Sequence, residues 1–245
     1  LPNLLTLIGV CLGISSIKFA LDQNYSLAVI FLIFAAILDT LDGRIARLIK
    51  GTSEFGKELD SLTDFVSFGI APAFILYFWE LKNYGKIGWA ITLIFSVCCV
   101  LRLARFNLTK ISEDAEWKHN YFEGIPSPAG AILILLPLIY ELSGLQFNLD
   151  VKKFAPYLVV IVAVLLISNI PTFSLKKIKI SSQLTIFLLF GIVLIFVSLI
   201  FFTFKALLVL GLLYLTSIPA SYFLYKRTSR RLNKSTKEED HEDIL

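Results

Sequence analysis

Four aspartates form two pairs at the ends of long apolar runs, Asp39 with Asp42 and Asp60 with Asp64. On a helix, a spacing of three or four residues puts both members of each pair on one face. Carboxylates that converge at membrane depth repel one another, so they must take up protons or attract cations. Hard divalent cations such as Mg²⁺ and Mn²⁺ prefer oxygen ligands and also bind phosphates. The two pairs therefore predict a metal-assisted site for a phosphoryl group.

Small and basic residues accompany the acidic pairs. Ala46 lies on the helix face of the first pair, and Gly56 lies on the face of the second. Side chains this small let a ligand or another helix approach the backbone closely. Gly43 and Arg47 lie on a helix face next to that of Asp39 and Asp42, where they could bind an anionic group.

The elements that must position these residues are membrane helices. The chain has 245 residues, of which 56% are hydrophobic, and its mean hydropathy is +0.76. Apolar runs of about 18 to 22 residues recur along it, the length that a bilayer core requires. Long alternation of apolar and polar residues is absent from the sequence, so a β-barrel is not expected. Cys11, Cys98 and Cys99 lie in apolar runs and are expected to act as small apolar residues.

We expect an all-α integral membrane protein with about eight transmembrane helices. The predicted spans are 3–21, 25–48, 58–79, 86–107, 127–144, 154–171, 183–203 and 205–225. Residues 226–245 are basic and then acidic, a pattern that predicts a disordered charged tail. The chain starts at Leu1 in what already looks like a helix, so a few residues are expected to precede it.

The basic residues predict the orientation. With eight spans, both termini lie on the same side of the membrane. The connectors after spans two, four and six, the ends of spans two and four that lead into them, and the tail together hold 17 of the 23 Lys and Arg residues. Because basic residues are retained in the cytoplasm, both termini and the aspartate site are expected on the cytoplasmic side of the inner membrane.

The acidic motif resembles the signature of the CDP-alcohol phosphatidyltransferases, and it departs from that signature at no position. Its fixed residues are Asp39, Asp42, Gly43, Ala46, Arg47, Gly56, Asp60 and Asp64. The resemblance covers residues 1–171 and implies a core of six transmembrane helices, with two further helices over 172–225. It also implies a homodimeric membrane enzyme that moves a phosphatidyl group from a CDP-linked donor onto an alcohol and releases CMP.

The resemblance assigns roles to individual residues. It implies that Asp39, Asp42 and Asp60 bind two divalent ions, Mg²⁺ or Mn²⁺, and that Asp64 is the general base and also touches a metal. Other matching positions imply binding of the nucleotide donor: Asn3, Thr6, Gly43, Arg47, Ser53 and Gly56. Asn3 and Thr6 belong to an opening segment, "PNLLT", that resembles the part of the family's first helix lining the cytidine pocket.

Two further stretches resemble the branch of this family that uses L-serine as the acceptor and CDP-diacylglycerol as the donor. They are "RLARFN", residues 102–107, and "FEGIPSPAGA", residues 122–131. Arg102, Arg105 and Asn107 are therefore the candidates for binding the acceptor or a phosphate, since arginine binds carboxylates and phosphates through paired hydrogen bonds. Glycerol 3-phosphate, an inositol derivative or choline stays open as the acceptor alcohol.

A different class of function also stays open. Intramembrane acids often mark ion paths, so an ion-coupled transporter is the remote alternative. Such a transporter would need carboxylates near the bilayer midplane, preferably on repeated broken helices. Here the acids lie at one end of their spans, and no internal repeat is evident. Membrane lipids are expected partners of this chain, and nucleic acids are not.

Overall fold

The protein is built almost entirely of helices. The computed structural model describes residues 2–48, 54–109, 121–145, 150–173 and 182–242. Within those ranges the helices are α1 (Pro2–Leu21), α2 (Tyr25–Leu48), α3 (Glu54–Trp79), α4 (Gly85–Thr109), α5 (Ser127–Leu142), α6 (Val151–Ile167), α7 (Ser182–Phe201) and α8 (Thr203–Glu242). Two short strands, β1 (Tyr121–Glu123) and β2 (Pro171–Phe173), pair with each other. The predicted all-α fold class is confirmed.

Many of these helices suit a lipid environment. In the described part of the chain, five segments are long and apolar enough to cross a membrane. They are Asn3–Leu21, Tyr25–Ile45, Glu54–Trp79, Leu81–Leu108 and Thr203–Lys226. Two shorter apolar helices, Ser127–Leu142 and Leu189–Phe201, accompany them. Large apolar side chains are exposed along several helices, as expected where lipid replaces water. The protein is a multi-pass membrane protein.

Helix α3 changes its winding directly after Asp64. Its three parts are an α-helix over Glu54–Asp64, a π-helix over Phe65–Ile70 and an α-helix over Ala71–Trp79. A π-helical turn holds more residues than an α-helical one, so it rotates the side chains that follow it. Asp60 and Asp64 lie before this change and keep their predicted common face. The helix begins at Glu54, four residues earlier than the predicted start of the span at 58.

Glycines bring α1 close to the acidic half of α3. A Cβ atom on Gly13 would lie 2.8 Å from Ser67 Oγ, and one on Gly9 would lie 3.6 Å from Thr63 Cγ2. The Ser67 hydroxyl also donates a hydrogen bond to the Gly9 carbonyl oxygen, at 3.4 Å. Since small residues permit such close helix contacts in membranes, Gly9 and Gly13 fix α1 beside the site.

The strands β1 and β2 were not expected from the sequence. Phe122 pairs with Thr172 in the antiparallel ladder, and the Gly124 N–H donates to the Ile170 carbonyl oxygen at 2.9 Å. The predicted sixth span, 154–171, is therefore too long, because α6 ends at Ile167. Pro171 explains the early end, since proline disfavours helical conformation in the residue before it.

Helix α8 extends well past its apolar part. The prediction of a disordered tail over 226–245 is wrong for the residues up to Glu242, which continue the helix. The segment 226–242 contains neither glycine nor proline and is rich in lysine, arginine and glutamate, which are good helix formers. Because it extends an existing helix, it bears none of the nucleation penalty of an isolated helix.

Candidate active site

Three carboxylates from α2 and α3 converge at one end of the helices. Asp39, Asp42 and Asp60 each offer a carboxylate oxygen, and these oxygens all lie within 4.8 Å of one another. The predicted meeting of the two acidic pairs is therefore present in the structure. A group of three carboxylates at this separation can hold a divalent metal ion, for which oxygen is the preferred ligand.

Asp64 extends this group toward α4. Its carboxyl group lies within hydrogen-bond range of Asp39 and interacts electrostatically with Asp60. On its other side it interacts electrostatically with the guanidinium group of Arg102. Asp64 therefore interacts both with the clustered carboxylates and with a cation on a different helix.

The hydrogen bonds of the acids are incomplete. Asp42 is almost fully buried, and its Oδ1 atom has no hydrogen-bond partner among the described residues. The same holds, within the described chain, for the buried Oδ1 atom of Asp64. Buried carboxylate oxygens without partners are costly. A divalent cation would satisfy these oxygens, so the residues present fit a metal site.

Helix α1 contributes to the site through Thr6. The buried Thr6 hydroxyl donates a hydrogen bond to Asp42 Oδ2, at 2.7 Å. This bond fixes the orientation of the Asp42 carboxylate, as partners of metal-binding carboxylates generally do. Asn3, one turn earlier on α1, is half-buried. The close approach of α1 at Gly9 and Gly13 places Thr6 beside Asp42.

The remaining candidates for nucleotide binding are only partly described. Gly43 follows Asp42 directly, and a Cβ atom added there would meet nothing within 4 Å, so the backbone is open on this side. Gly56 lies in the first turn of α3. Arg47 lies near the end of α2, but its side chain is outside the described part of the structure. Ser53 also lies outside the described residues.

Arg102 connects the acids to the start of α5. Its Nη1 atom donates a hydrogen bond to Ser127 Oγ at 2.7 Å, and its guanidinium group lies over the Phe106 ring. Ser127 is fully buried and also contacts the buried thiol of Cys99. The structure therefore joins the "RLARFN" and "FEGIPSPAGA" segments, which belong to successive helices, through the Arg102–Ser127 hydrogen bond.

Arg105 and Asn107 make contacts that hold α4 in place. Arg105 Nη1 donates to the carbonyl oxygen of Ile167 and to Asn169 Oδ1, both at 2.7 Å. A cation at the last carbonyls of a helix is favourable, and here it binds the end of α6. Asn107 Nδ2 donates to Ser61 Oγ at 3.0 Å, which connects α4 to the residue after Asp60. Their role in acceptor binding stays a prediction.

Residues 1–167 match the family model described as CDP-alcohol phosphatidyltransferase, which is more than half of the chain. The chain belongs to the CDP-alcohol phosphatidyltransferase family. Such transferases generally use a divalent metal ion, and the carboxylate group of α2 and α3 suits one.

Several curated members of the family are similar over most of the chain. A CDP-diacylglycerol–serine O-phosphatidyltransferase of Helicobacter pylori is 38% identical over 200 residues, which is 82% of this chain and 81% of that protein. One of Mycobacterium bovis is 38% identical over 172 residues, 70% of this chain but only 60% of that protein. One of Bacillus subtilis is 35% identical over 142 residues, 58% of this chain and 77% of that protein.

The family motif leaves out some residues that lie in the site. Ser127 stands within the quoted "FEGIPSPAGA" segment, and its position between two prolines at a helix start was the available signal. Ser61 is the partner of Asn107, and nothing in the sequence indicates this role except that Ser61 directly follows Asp60. Both residues act through tertiary contacts, which the spacing of a CDP-alcohol phosphatidyltransferase motif does not encode.

Proposed function

We propose that this protein transfers the phosphatidyl group of CDP-diacylglycerol to the hydroxyl group of L-serine, forming phosphatidylserine and CMP. The observation that carries the proposal is the position of Asp64, between the three clustered carboxylates and Arg102. This arrangement offers a metal and diphosphate site on one side and a cation for an anionic acceptor on the other. The similar proteins of three bacteria all bear the name of this serine transferase.

Two divalent ions, Mg²⁺ or Mn²⁺, are the proposed cofactors. Asp39, Asp42 and Asp60 would hold them, with Asp64 touching one, and the unpartnered oxygens of Asp42 and Asp64 support this assignment. When bound, such ions neutralise the diphosphate of the donor and stabilise the charge that develops on the CMP leaving group. Thr6 would keep the Asp42 carboxylate in its ligating orientation.

Asp64 is the proposed general base. Its carboxylate takes the proton from the serine hydroxyl group, and the serine oxygen attacks the phosphorus next to the diacylglycerol. A new phosphorus–oxygen bond to serine forms as the bond between this phosphorus and the bridging diphosphate oxygen breaks. CMP leaves with the electron pair of that bond. Asp64 interacts electrostatically with Arg102, so its carboxylate also belongs to the proposed acceptor side.

The donor nucleotide is assigned to the start of α1 and the loop between α2 and α3. Thr6 lies beside the acids, and the open backbone at Gly43 leaves room for a phosphate. The other proposed contacts are Asn3, Arg47, Ser53 and Gly56. The acyl chains of the donor would stay in the bilayer, while serine and the nucleotide enter from water. A site at the membrane boundary serves both substrates.

Arg102 is the proposed contact of the acceptor carboxylate. It points to Ser127 and lies beside Asp64, so an anionic group held by it would place a neighbouring hydroxyl near the base. Arg105 and Asn107 support the acceptor site by holding α4 against α6 and α3. A phosphorylated acceptor would need more cations than Arg102 alone, and this favours serine over glycerol 3-phosphate.

We assign residues 1–171 to the catalytic core, 172–225 to two additional helices and 226–245 to a charged cytoplasmic segment. The distribution of Lys and Arg supports a location in the inner membrane with both termini and the site facing the cytoplasm. A homodimer is the proposed assembly, on the basis of the family resemblance.

The experiment that tests the function is CMP release by the purified protein. CDP-diacylglycerol is supplied with and without L-serine, in Mg²⁺ and in Mn²⁺. We expect CMP release that requires a divalent ion, rises with serine and yields phosphatidylserine. Parallel reactions contain glycerol 3-phosphate, inositol or choline. A greater rate with one of these alcohols than with serine would refute the proposed acceptor.

A further inference from the structure

The last helix places a tyrosine, Tyr214, within electrostatic range of Arg102. The inward face of α8 follows spacings of four and three residues, as expected for a helix that packs along one stripe. The residues on that stripe are Leu207, Gly211, Tyr214, Ile218 and Ser221. Leu207, Ile218 and Ser221 are buried, and the Tyr214 hydroxyl oxygen is buried as well. Tyr214 is therefore directed into the protein by the pattern of the whole helix.

Two close contacts fix this face of α8. A Cβ atom on Gly211 would lie 2.5 Å from Leu136 Cδ2, so α8 packs closely against α5 at this glycine. One turn beyond Ile218, the fully buried Ser221 hydroxyl donates to the Pro171 carbonyl oxygen, at 2.8 Å. Tyr214 lies between these contacts, where α8 runs beside β2.

The Tyr214 hydroxyl interacts electrostatically with the Arg102 guanidinium group. It also lies near the hydroxyl of Thr172, which donates its own proton to the Gly124 carbonyl oxygen at 2.7 Å and so could only accept a proton from Tyr214. Within the described residues, Tyr214 Oη has no hydrogen bond of standard geometry, and neither does the buried Arg102 Nε.

Two buried donors without partners, Tyr214 Oη and Arg102 Nε, are therefore found in the same region of the protein as Asp64. Leaving a buried donor unsatisfied costs about 1–3 kcal/mol, and more for a charged group. A ligand that accepts hydrogen bonds from both would remove this penalty. A carboxylate has two oxygens and only accepts hydrogen bonds when it is ionised, so it suits a tyrosine hydroxyl and a guanidinium N–H together.

We propose that Tyr214 is a specificity-determining residue that binds the carboxylate of the acceptor amino acid together with Arg102. This inference rests on the proposed serine transfer and goes beyond it. Tyr214 lies outside residues 1–167, the part of the chain that matches the family model. A helix added to the catalytic core therefore contributes to the choice of acceptor, while the core supplies the metal, nucleotide and base functions.

The test is the substitution Tyr214→Phe, which removes only the hydroxyl group. We expect the KM for L-serine to rise about tenfold, the effect of one lost hydrogen bond to a charged group. The KM for CDP-diacylglycerol and the melting temperature should stay at the wild-type values, because Tyr214 does not touch the donor site. Tyr222→Phe is the matched control, since it makes the same change on the same helix at a ring that is 44% exposed.

A second readout separates binding from structure. O-methyl-L-serine keeps the carboxylate but has no hydroxyl group to accept the phosphatidyl group, whereas ethanolamine lacks the carboxylate. Inhibition of serine transfer by O-methyl-L-serine should weaken about tenfold in Tyr214→Phe, while any effect of ethanolamine should not change. An equal change for both compounds would assign Tyr214 a structural role and overturn the proposal.

The other possible results of these experiments also test the role of Tyr214. A normal KM for serine in Tyr214→Phe would overturn the role of Tyr214 and leave the serine transferase function intact. A parallel rise of both substrate KM values with a lower melting temperature would likewise show a structural role. If the wild-type protein releases no CMP in response to serine, the proposed function fails, and that failure is visible before any variant is made.

Discussion

The two sides of the site are assembled in different ways. The metal side, which consists of Thr6, Asp39, Asp42 and Asp60, comes from the first three helices. The acceptor side, which consists of Arg102, Ser127 and Tyr214, comes from α4, α5 and α8. Asp64 lies between the two sides and interacts with both. The proposed base is therefore held where a reaction between two separately bound substrates would require it.

The two sides also have different chemical tasks. Binding two metal ions and a diphosphate requires many oxygens at fixed separations, and helix spacing on two neighbouring helices supplies them. Selecting an acceptor requires only a few hydrogen bonds to one small molecule. Such contacts can come from any segment that the fold brings near, including a helix outside the family core. We expect substitutions on the metal side to affect catalysis as a whole and those on the acceptor side to affect serine alone.

The largest effect is expected at Asp64, where the two sides meet. Asp64→Asn keeps the size of the side chain but cannot accept the serine proton at the required oxygen. The kcat for phosphatidylserine formation should fall by between about 10²- and 10⁴-fold, the usual contribution of a general base. Binding of CDP-diacylglycerol, measured by equilibrium titration, should remain close to that of the wild type.

The control for Asp64→Asn is Asp22→Asn, which neutralises an exposed aspartate in the short connector between α1 and α2. That variant should keep wild-type turnover. Near-normal turnover of Asp64→Asn itself would show that another group removes the serine proton. A parallel loss of donor binding would instead assign Asp64 mainly to metal binding.

The next largest effect is expected within the metal side. Asp42→Asn removes a charged oxygen from a buried ligand group, so it should weaken the binding of the cation and of the donor together. The Mg²⁺ concentration for half-maximal activity should rise at least about a hundredfold, because losing a residue that only orients a ligand already costs 10- to 100-fold. Glu58→Gln, an exposed acid on α3, is the control. Unchanged Mg²⁺ dependence in Asp42→Asn would exclude it as a ligand.

On the acceptor side, Arg102→Lys should affect serine selectively. Lysine keeps the charge but loses the planar group that donates to Ser127 and faces Tyr214. We expect the KM for serine to rise about thirtyfold, roughly 2 kcal/mol for charge-assisted hydrogen bonds, with little change in the Mg²⁺ dependence. Arg105→Lys, whose wild-type side chain binds the end of α6, should change the KM for serine less. Equal effects of both substitutions on both substrates would remove the distinction between the two sides.

The metal side could be predicted from the sequence because its geometry is local. Asp39 and Asp42 share one helix, Asp60 and Asp64 share another, and helix periodicity alone sets each pair on a common face. The same reasoning predicted eight helical segments from the lengths of the apolar runs. Thr6 was nominated from a resemblance, and the structure shows the hydrogen bond by which it reaches Asp42.

The acceptor side could be predicted only in part, because it depends on contacts between distant segments. Arg102 was a candidate, but its partner Ser127 and its neighbour Tyr214 follow from the packing of α5 and α8. The β1–β2 ladder that positions Thr172 has strands of only three residues, too short to give an alternating pattern. The π-helical segment after Asp64 likewise leaves no signal in apolar periodicity, since the run around it is apolar on all sides.

The smallest effect, at Thr6, examines how far the metal side depends on its supporting contacts. Thr6→Val keeps the shape of the side chain but removes the hydroxyl that donates to Asp42 Oδ2. We expect the Mg²⁺ concentration for half-maximal activity to rise about tenfold, the lower end of the effect of such supporting partners. The KM for serine should not change, because the hydroxyl of Thr6 donates to Asp42 on the metal side. Thr40→Val is the control, since the exposed Thr40 donates only to the Ala36 carbonyl of its own helix. A rise in the KM for serine with unchanged Mg²⁺ dependence in Thr6→Val would mean that the first helix serves the acceptor, and the separation of the two sides would then be wrong.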